Sequence, residues 1–145
     1  MKSVKLLFLL MTGMFGNAYA QTESDILGTW ESDKKDVIIE ISKKGNEYVG
    51  KYIWGKEIVE SDGITSKKDI ENPDKSLRTR NVVGITSLTG LKWNGKEYTD
   101  GKIYNAPTGD TYGCKIWIKN NKLNLRGFLG ISLLGQTAVF HKHKQ

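Results

Sequence analysis

One cysteine in 145 residues excludes an internal disulfide, so the fold must hold by packing. Cys114 lies in the alternating stretch Thr111–Lys119, on the same side as Tyr112, Ile116 and Ile118. That placement makes it a small buried hydrophobe rather than a reactive thiol. After residue 20 no apolar run reaches eighteen residues, which excludes a spanning helix. There is no basic cluster with aromatics interleaved, as a nucleic-acid surface would need. The paired lysines Lys34-Lys35, Lys43-Lys44 and Lys67-Lys68 are scattered over turn and loop positions. No nucleic-acid partner is expected. The mild positive excess leaves at most a weak contact with an anionic membrane surface.

Catalytic constellations are equally scarce. The only histidines, His141 and His143, share one strand face in a basic tail, and no third metal ligand accompanies them. No pair of carboxylates is set together for acid–base work. The glycines Gly127, Gly130 and Gly135 do not match a dinucleotide fingerprint, and no helix follows to receive a phosphate. Ser132 sits in Gly-Ile-Ser-Leu-Leu-Gly, one residue too long for a nucleophile elbow and without a helix after it. Ser132 is therefore read as part of a bend, and a hydrolase ranks third among the functions considered. No catalytic residue, metal or cofactor is assigned.

Residues 1–20 begin with Lys2 and Lys5, continue apolar from Leu6 to Phe15, and close on Ala18-Tyr19-Ala20. This is the layout of a cleaved secretory signal. The expected mature chain is one domain over 21–145, periplasmic or secreted.

Period two governs that domain. Val37, Ile39 and Ile41 alternate with Ile38, Glu40 and Ser42, Leu123 and Leu125 with Lys122, Asn124 and Arg126, and Ala138 and Phe140 with Thr137, Val139 and His141. Turn signals divide the runs at Lys43-Lys44-Gly45-Asn46, Asn94-Gly95, Pro107-Thr108-Gly109-Asp110 and Asn120-Asn121. Asn94-Gly95 is the strongest, since a type I′ turn needs φ > 0 at both central residues. The expectation is an all-β fold of about eight short antiparallel strands. Only Ser61–Thr79 is long, polar and without period; a strand from Asn81 to Leu88 is expected after it.

Ile26-Leu27-Gly28-Thr29-Trp30 opens the domain with Gly-x-Trp. This resembles the first strand of lipocalins and other calycins. The resemblance implies that Trp30 plugs one end of an up-and-down barrel, with Lys142 or Arg126 packed across it. Further matches follow in order: Gly50-Lys51, Asn72 to Arg80, Gly101 to Tyr104, Thr111 to Lys115, and Arg126 to Ser132. Together they resemble the secreted bacterial domain-of-unknown-function family numbered twenty-one forty-seven. That family typically has proline where this chain has Asn81, and arginine near its end where this chain has Lys142. The resemblance implies a calycin-like barrel and brings no activity.

Two groups are candidate ligand contacts. Tyr48, Tyr52 and Trp54 fall on one face of a strand by alternation and could line a cavity or fill a core. Arg78 and Arg80, two apart in an extended segment, could hold a carboxylate or phosphate; they could equally pair with Asp69, Glu71 or Asp74 and pin the long loop. The leading function is a barrel that binds a small apolar or amphipathic molecule, such as a lipid-derived acid. The alternative is an envelope module with a filled barrel.

Overall fold

The computed structural model describes residues 21–128 and 135–144. Eight antiparallel strands close on themselves in sequence order: β1 Gly28–Ser32, β2 Val37–Lys44, β3 Glu47–Gly55, β4 Thr86–Trp93, β5 Tyr98–Asn105, β6 Asp110–Lys119, β7 Lys122–Phe128 and β8 Gln136–Lys142. Closure comes from β1 against β8, where Trp30 pairs with Lys142 and Ser32 with Phe140. A closed sheet leaves no edge for association with another chain.

Alternation sorts the side chains. Trp30, Ile39, Ile41, Tyr48, Leu88, Leu91, Cys114, Ile116, Leu123 and Phe140 turn inward and are buried. The glycines at inward positions set the barrel's width. A Cβ on Gly101 would lie 2.6 Å from Leu91 Cδ2 and 2.7 Å from Cys114 Sγ. The core fills that space instead.

Three tight connections join strands at the end where β1 begins, here the lower end. Lys44 pairs with Glu47 around Gly45-Asn46, Trp93 with Tyr98 around 94–97, and Lys119 with Lys122 around Asn120-Asn121. The I′ geometry falls at Asn120 and Asn121, with φ of 51° and 60°, and not at Asn94-Gly95. At the latter only Gly95 has positive φ, in a four-residue loop. There Asn94 Oδ1 accepts from the backbone N–H groups of Lys96 and Glu97 at 2.9 and 2.8 Å. That side-chain cap stabilises a longer turn than the dipeptide suggests.

The segment before β1 crosses this lower end. Ile26 is fully buried, and Tyr98 Oη donates to the Glu23 carbonyl at 2.8 Å. At the upper end lie the β1–β2 turn, the β5–β6 turn and the long β3–β4 connection. That connection is folded. It holds isolated bridges Val59–Ser66 and Lys68–Asn81 and a short 3₁₀ turn Lys75–Leu77 capped by Asp74. Ile58, Val59 and Val82 are buried beneath it. The strand expected from Asn81 starts only at Thr86, because Val82 serves the connection's own packing. Among the described residues no helix is long and apolar enough to cross a membrane.

Candidate functional site

The lower end is shut by Trp30. Its indole Nε1 donates to the Ile26 carbonyl at 2.8 Å. Lys142 Nζ stands 4.3 Å from the ring centroid and also donates to the Leu27 carbonyl. Burial lowers the Lys142 ammonium's pKa, with Asp25 opposing the shift. Arg126, the other expected cover, lies on the outer face, where its Nη1 donates to Thr137 Oγ1 at 3.2 Å. The register explains this: Leu125 and Gly127 face inward, so Arg126 between them faces out.

The middle of the barrel is packed. The rings of Tyr48 and Tyr98 meet edge to face at 5.3 Å, and Trp93 packs on Tyr98 at 4.8 Å. Tyr52 Oη donates to the Tyr104 carbonyl at 2.8 Å, and burial pushes its pKa up to about 12. Tyr48 and Tyr52 therefore fill core instead of lining a cavity. Trp54 does not share their face. A bulge between Ile38 and Ile39 leaves Tyr52 opposite Ile39 and Trp54 opposite Ile38, which moves the indole to the other side of the sheet. Its Nε1 donates to the Gly63 carbonyl at 2.9 Å and ties down the long connection.

That connection is fixed by a buried carboxylate. Asp69 is 0% exposed. It accepts from Tyr104 Oη at 2.5 Å, Asn72 Nδ2 at 2.8 Å and Arg80 Nε at 2.9 Å, and Arg80 Nη2 makes a second contact at 2.9 Å. Burial alone would raise the Asp69 carboxyl, but these donors outweigh it and hold it below the ordinary value. Burial, reinforced by Asp69, pushes the Tyr104 phenol up to about 12. Arg78 Nε donates to the Asn72 carbonyl at 2.8 Å. Both arginines thus brace the connection.

The open space lies elsewhere at the upper end. A recess of about 990 Å³ is walled by Val37, Leu125, Ala138 and Phe140, with Ser32 and Asp36 on one rim and Asn105 across from them. Pairing shows how it arises. Leu125 is opposite Ala138, and Gly127 is opposite Gln136, so two of the inward positions on β7 and β8 carry little or no side chain. A Cβ on Gly127 would meet nothing nearer than Ile103 Cγ2 at 4.0 Å. Ala138 points inward yet is exposed. The long connection packs on the β5 side of the upper end, where Tyr104 bonds Asp69. These recess residues were not singled out in the sequence. Their one legible signal was small residues at inward positions of the last two strands.

On the rim, Ser32 Oγ donates to Asp36 Oδ1 at 2.6 Å and accepts from the backbone N–H groups of Asp36 and Val37. Next to it, Asp33 turns outward. His141 Nδ1 is 2.8 Å from its Oδ1, and Lys122 Nζ donates at 2.9 Å. Hydrogen bonds from His141 and then Lys122 hold the Asp33 pKa low. His143 Nδ1 lies 3.0 Å from Glu31 Oε2, and its backbone N–H donates to the Thr29 carbonyl. The basic tail is paired with β1 and the residue after it through both histidines. Among the described residues no group of three His, Cys, Asp or Glu is arranged to hold a metal. Ser132 lies outside the described residues.

Comparison with known proteins agrees with this architecture. The model of the family "Uncharacterized protein conserved in bacteria (DUF2147)" matches residues 28–142. A solved structure, protein HP1028 from Helicobacter pylori, described as belonging to the lipocalin family, superposes with a TM-score of 0.72 at 24% identity. The match covers 82% of this chain and 83% of that one, and at this identity it speaks to the fold alone. No curated protein matches the chain. The chain belongs to the DUF2147 family and has a lipocalin-like barrel.

Proposed function

We propose that this DUF2147 member is an exported barrel, cleaved after Ala20, that holds a small apolar or amphipathic molecule in its upper recess. One observation carries the reading: an eight-stranded barrel, packed from Trp30 to Tyr52, opens at one end into about 990 Å³ with apolar walls. That volume suits a small ligand, and a few polar groups at the rim suit its head. The plugged lower end and the braced β3–β4 connection make the recess a blind pocket on a stiff frame.

Native mass spectrometry of freshly purified protein tests the reading, together with binding of a neutral naphthylamine dye. Ala138→Phe places a ring in the recess, so it should abolish dye binding while leaving the far-UV circular dichroism unchanged. Dye affinity equal in wild type and Ala138→Phe would refute the recess as the site. A second reading, an interaction module of the cell envelope, draws on Ile64 and Ile70. These project from the β3–β4 connection with exposures of 83% and 64%. It gains if the wild-type protein is clean of ligand and takes up no dye.

A further inference from the structure

Resting on the recess reading, we infer that the recess selects by head-group charge. It takes an alkyl chain bearing a cationic head in preference to the same chain bearing a carboxylate. Three charged side chains line it among the described residues: Asp33, Lys34 and Asp36. Their settings differ. Asp33 is claimed on the outer face by His141 and Lys122. Lys34 is exposed on the turn, where water screens its ammonium. Asp36 is half-buried and adjoins Val37, a wall of the recess. Ser32 Oγ holds its carboxylate at 2.6 Å. The one charged side chain of the lining that is half-buried is therefore negative.

Among the described residues the exposed Lys34 is the one cation in the lining. Arg80 is committed to Asp69 and Arg78 to the Asn72 carbonyl in the β3–β4 connection, and Arg126 lies on the outer face. The other polar side chains around the recess, among them Ser32, Asn105, Tyr112 and Gln136, are neutral. Residues 129–134, between β7 and β8, carry no charge in sequence. A fatty-acid carboxylate entering head-last would meet Asp36 with only neutral donors and the exposed Lys34 to offset it. An ammonium would meet a carboxylate at the edge of a low-dielectric wall.

The test uses three probes with one chain length: dodecyltrimethylammonium, dodecanol and dodecanoate. Each is kept below its micelle concentration at neutral pH and low salt, displacing the neutral dye. The cation should displace at a concentration roughly tenfold below that of dodecanoate, with dodecanol between. Asp36→Asn, which keeps the Ser32 acceptor, should bring cation and anion within about twofold. Lys34→Gln should widen the preference, and about 0.5 M salt should narrow it; these two arms stand if Asp36→Asn does not fold. Dodecanoate binding as tightly as the cation, or a preference unmoved by all three changes, overturns the inference and leaves the recess as the site. Failure of all three probes to displace the dye overturns both readings.

Discussion

Truncating Trp30 removes the plug of the lower end, and the structure supports a worked magnitude. The side chain is 2% exposed and touches the buried Ile26 segment. Trp30→Ala should cost about 3–5 kcal/mol from lost burial and the cavity left behind. Loss of the Nε1 donor leaves the Ile26 carbonyl without its partner, a further penalty of roughly 1 kcal/mol where water does not replace it. Lys142 adds less. Its ammonium is partly exposed, so the contact with the ring belongs at the low end, about 0.5–1 kcal/mol. Lys142→Met should thus cost little, and Trp30→Phe should fall between the two. Urea unfolding followed by far-UV circular dichroism is the assay. Fluorescence is a poorer probe, because Trp54, Trp93 and Trp117 also report. With a slope of about 1–3 kcal/mol per molar urea, Trp30→Ala should lower the midpoint by roughly 1–5 M. A midpoint lowered by less than about 0.5 M, or a Lys142→Met effect as large as that of Trp30→Ala, would refute the plug.

Other outcomes follow from the same coordinates. Asp69 has a folded pKa below its ordinary value, so its contribution is full above the ordinary carboxylate range and is lost as pH falls through the folded pKa. Amide protection between 66 and 82, taken relative to the intrinsic exchange rate at each pH, should fall in acid below about pH 4, before the barrel strands open, and a uniform loss across both would count against it. Asp69→Asn strands Arg80 and should cost about 2–4 kcal/mol by urea unfolding. Asn121→Val puts a β-branched residue at φ 60° and should cost about 1–2 kcal/mol, whereas Asn94→Ala should act only through its two backbone acceptor bonds. Burial pushes the Cys114 thiol up to about 12, so a disulfide reagent at neutral pH should label it at the rate of barrel opening, and immediate labelling would contradict its burial.

Much of the frame was legible because it obeys local rules. The two-residue period placed β2, β3, β6, β7 and β8, since the pleat alternates sides whatever the neighbours are. Gly-x-Trp marked Trp30 as the plug, and Cys114 fell on the inward side by simple alternation. Lys142 opposite Trp30 was one of two basic residues expected there; only the β7 register, with Arg126 facing out, decided between them. The site was less accessible. Tyr48, Tyr52 and Trp54 share a face by alternation, yet the bulge at Ile38/Ile39 separates Trp54 from the tyrosines, and a bulge depends on pairing with a partner strand. Whether an inward face meets ligand or core depends on what the opposite strands supply. Around Tyr48 they supply Leu91 and Tyr98, which leave no room. Around Leu125 they supply Ala138, with Gly127 and Gln136 above, which leave the recess. Arg78 and Arg80 likewise acquired their roles from Asn72 and Asp69 through the fold of the β3–β4 connection. Periodicity is a property of one strand, so the sequence alone determined an all-β chain of short antiparallel strands, and the resemblance carried by Gly-x-Trp implied the barrel and its plug. Volume and charge in a recess are sums over residues distant in the chain, so only the tertiary structure decided where the recess lies and which charged side chains line it.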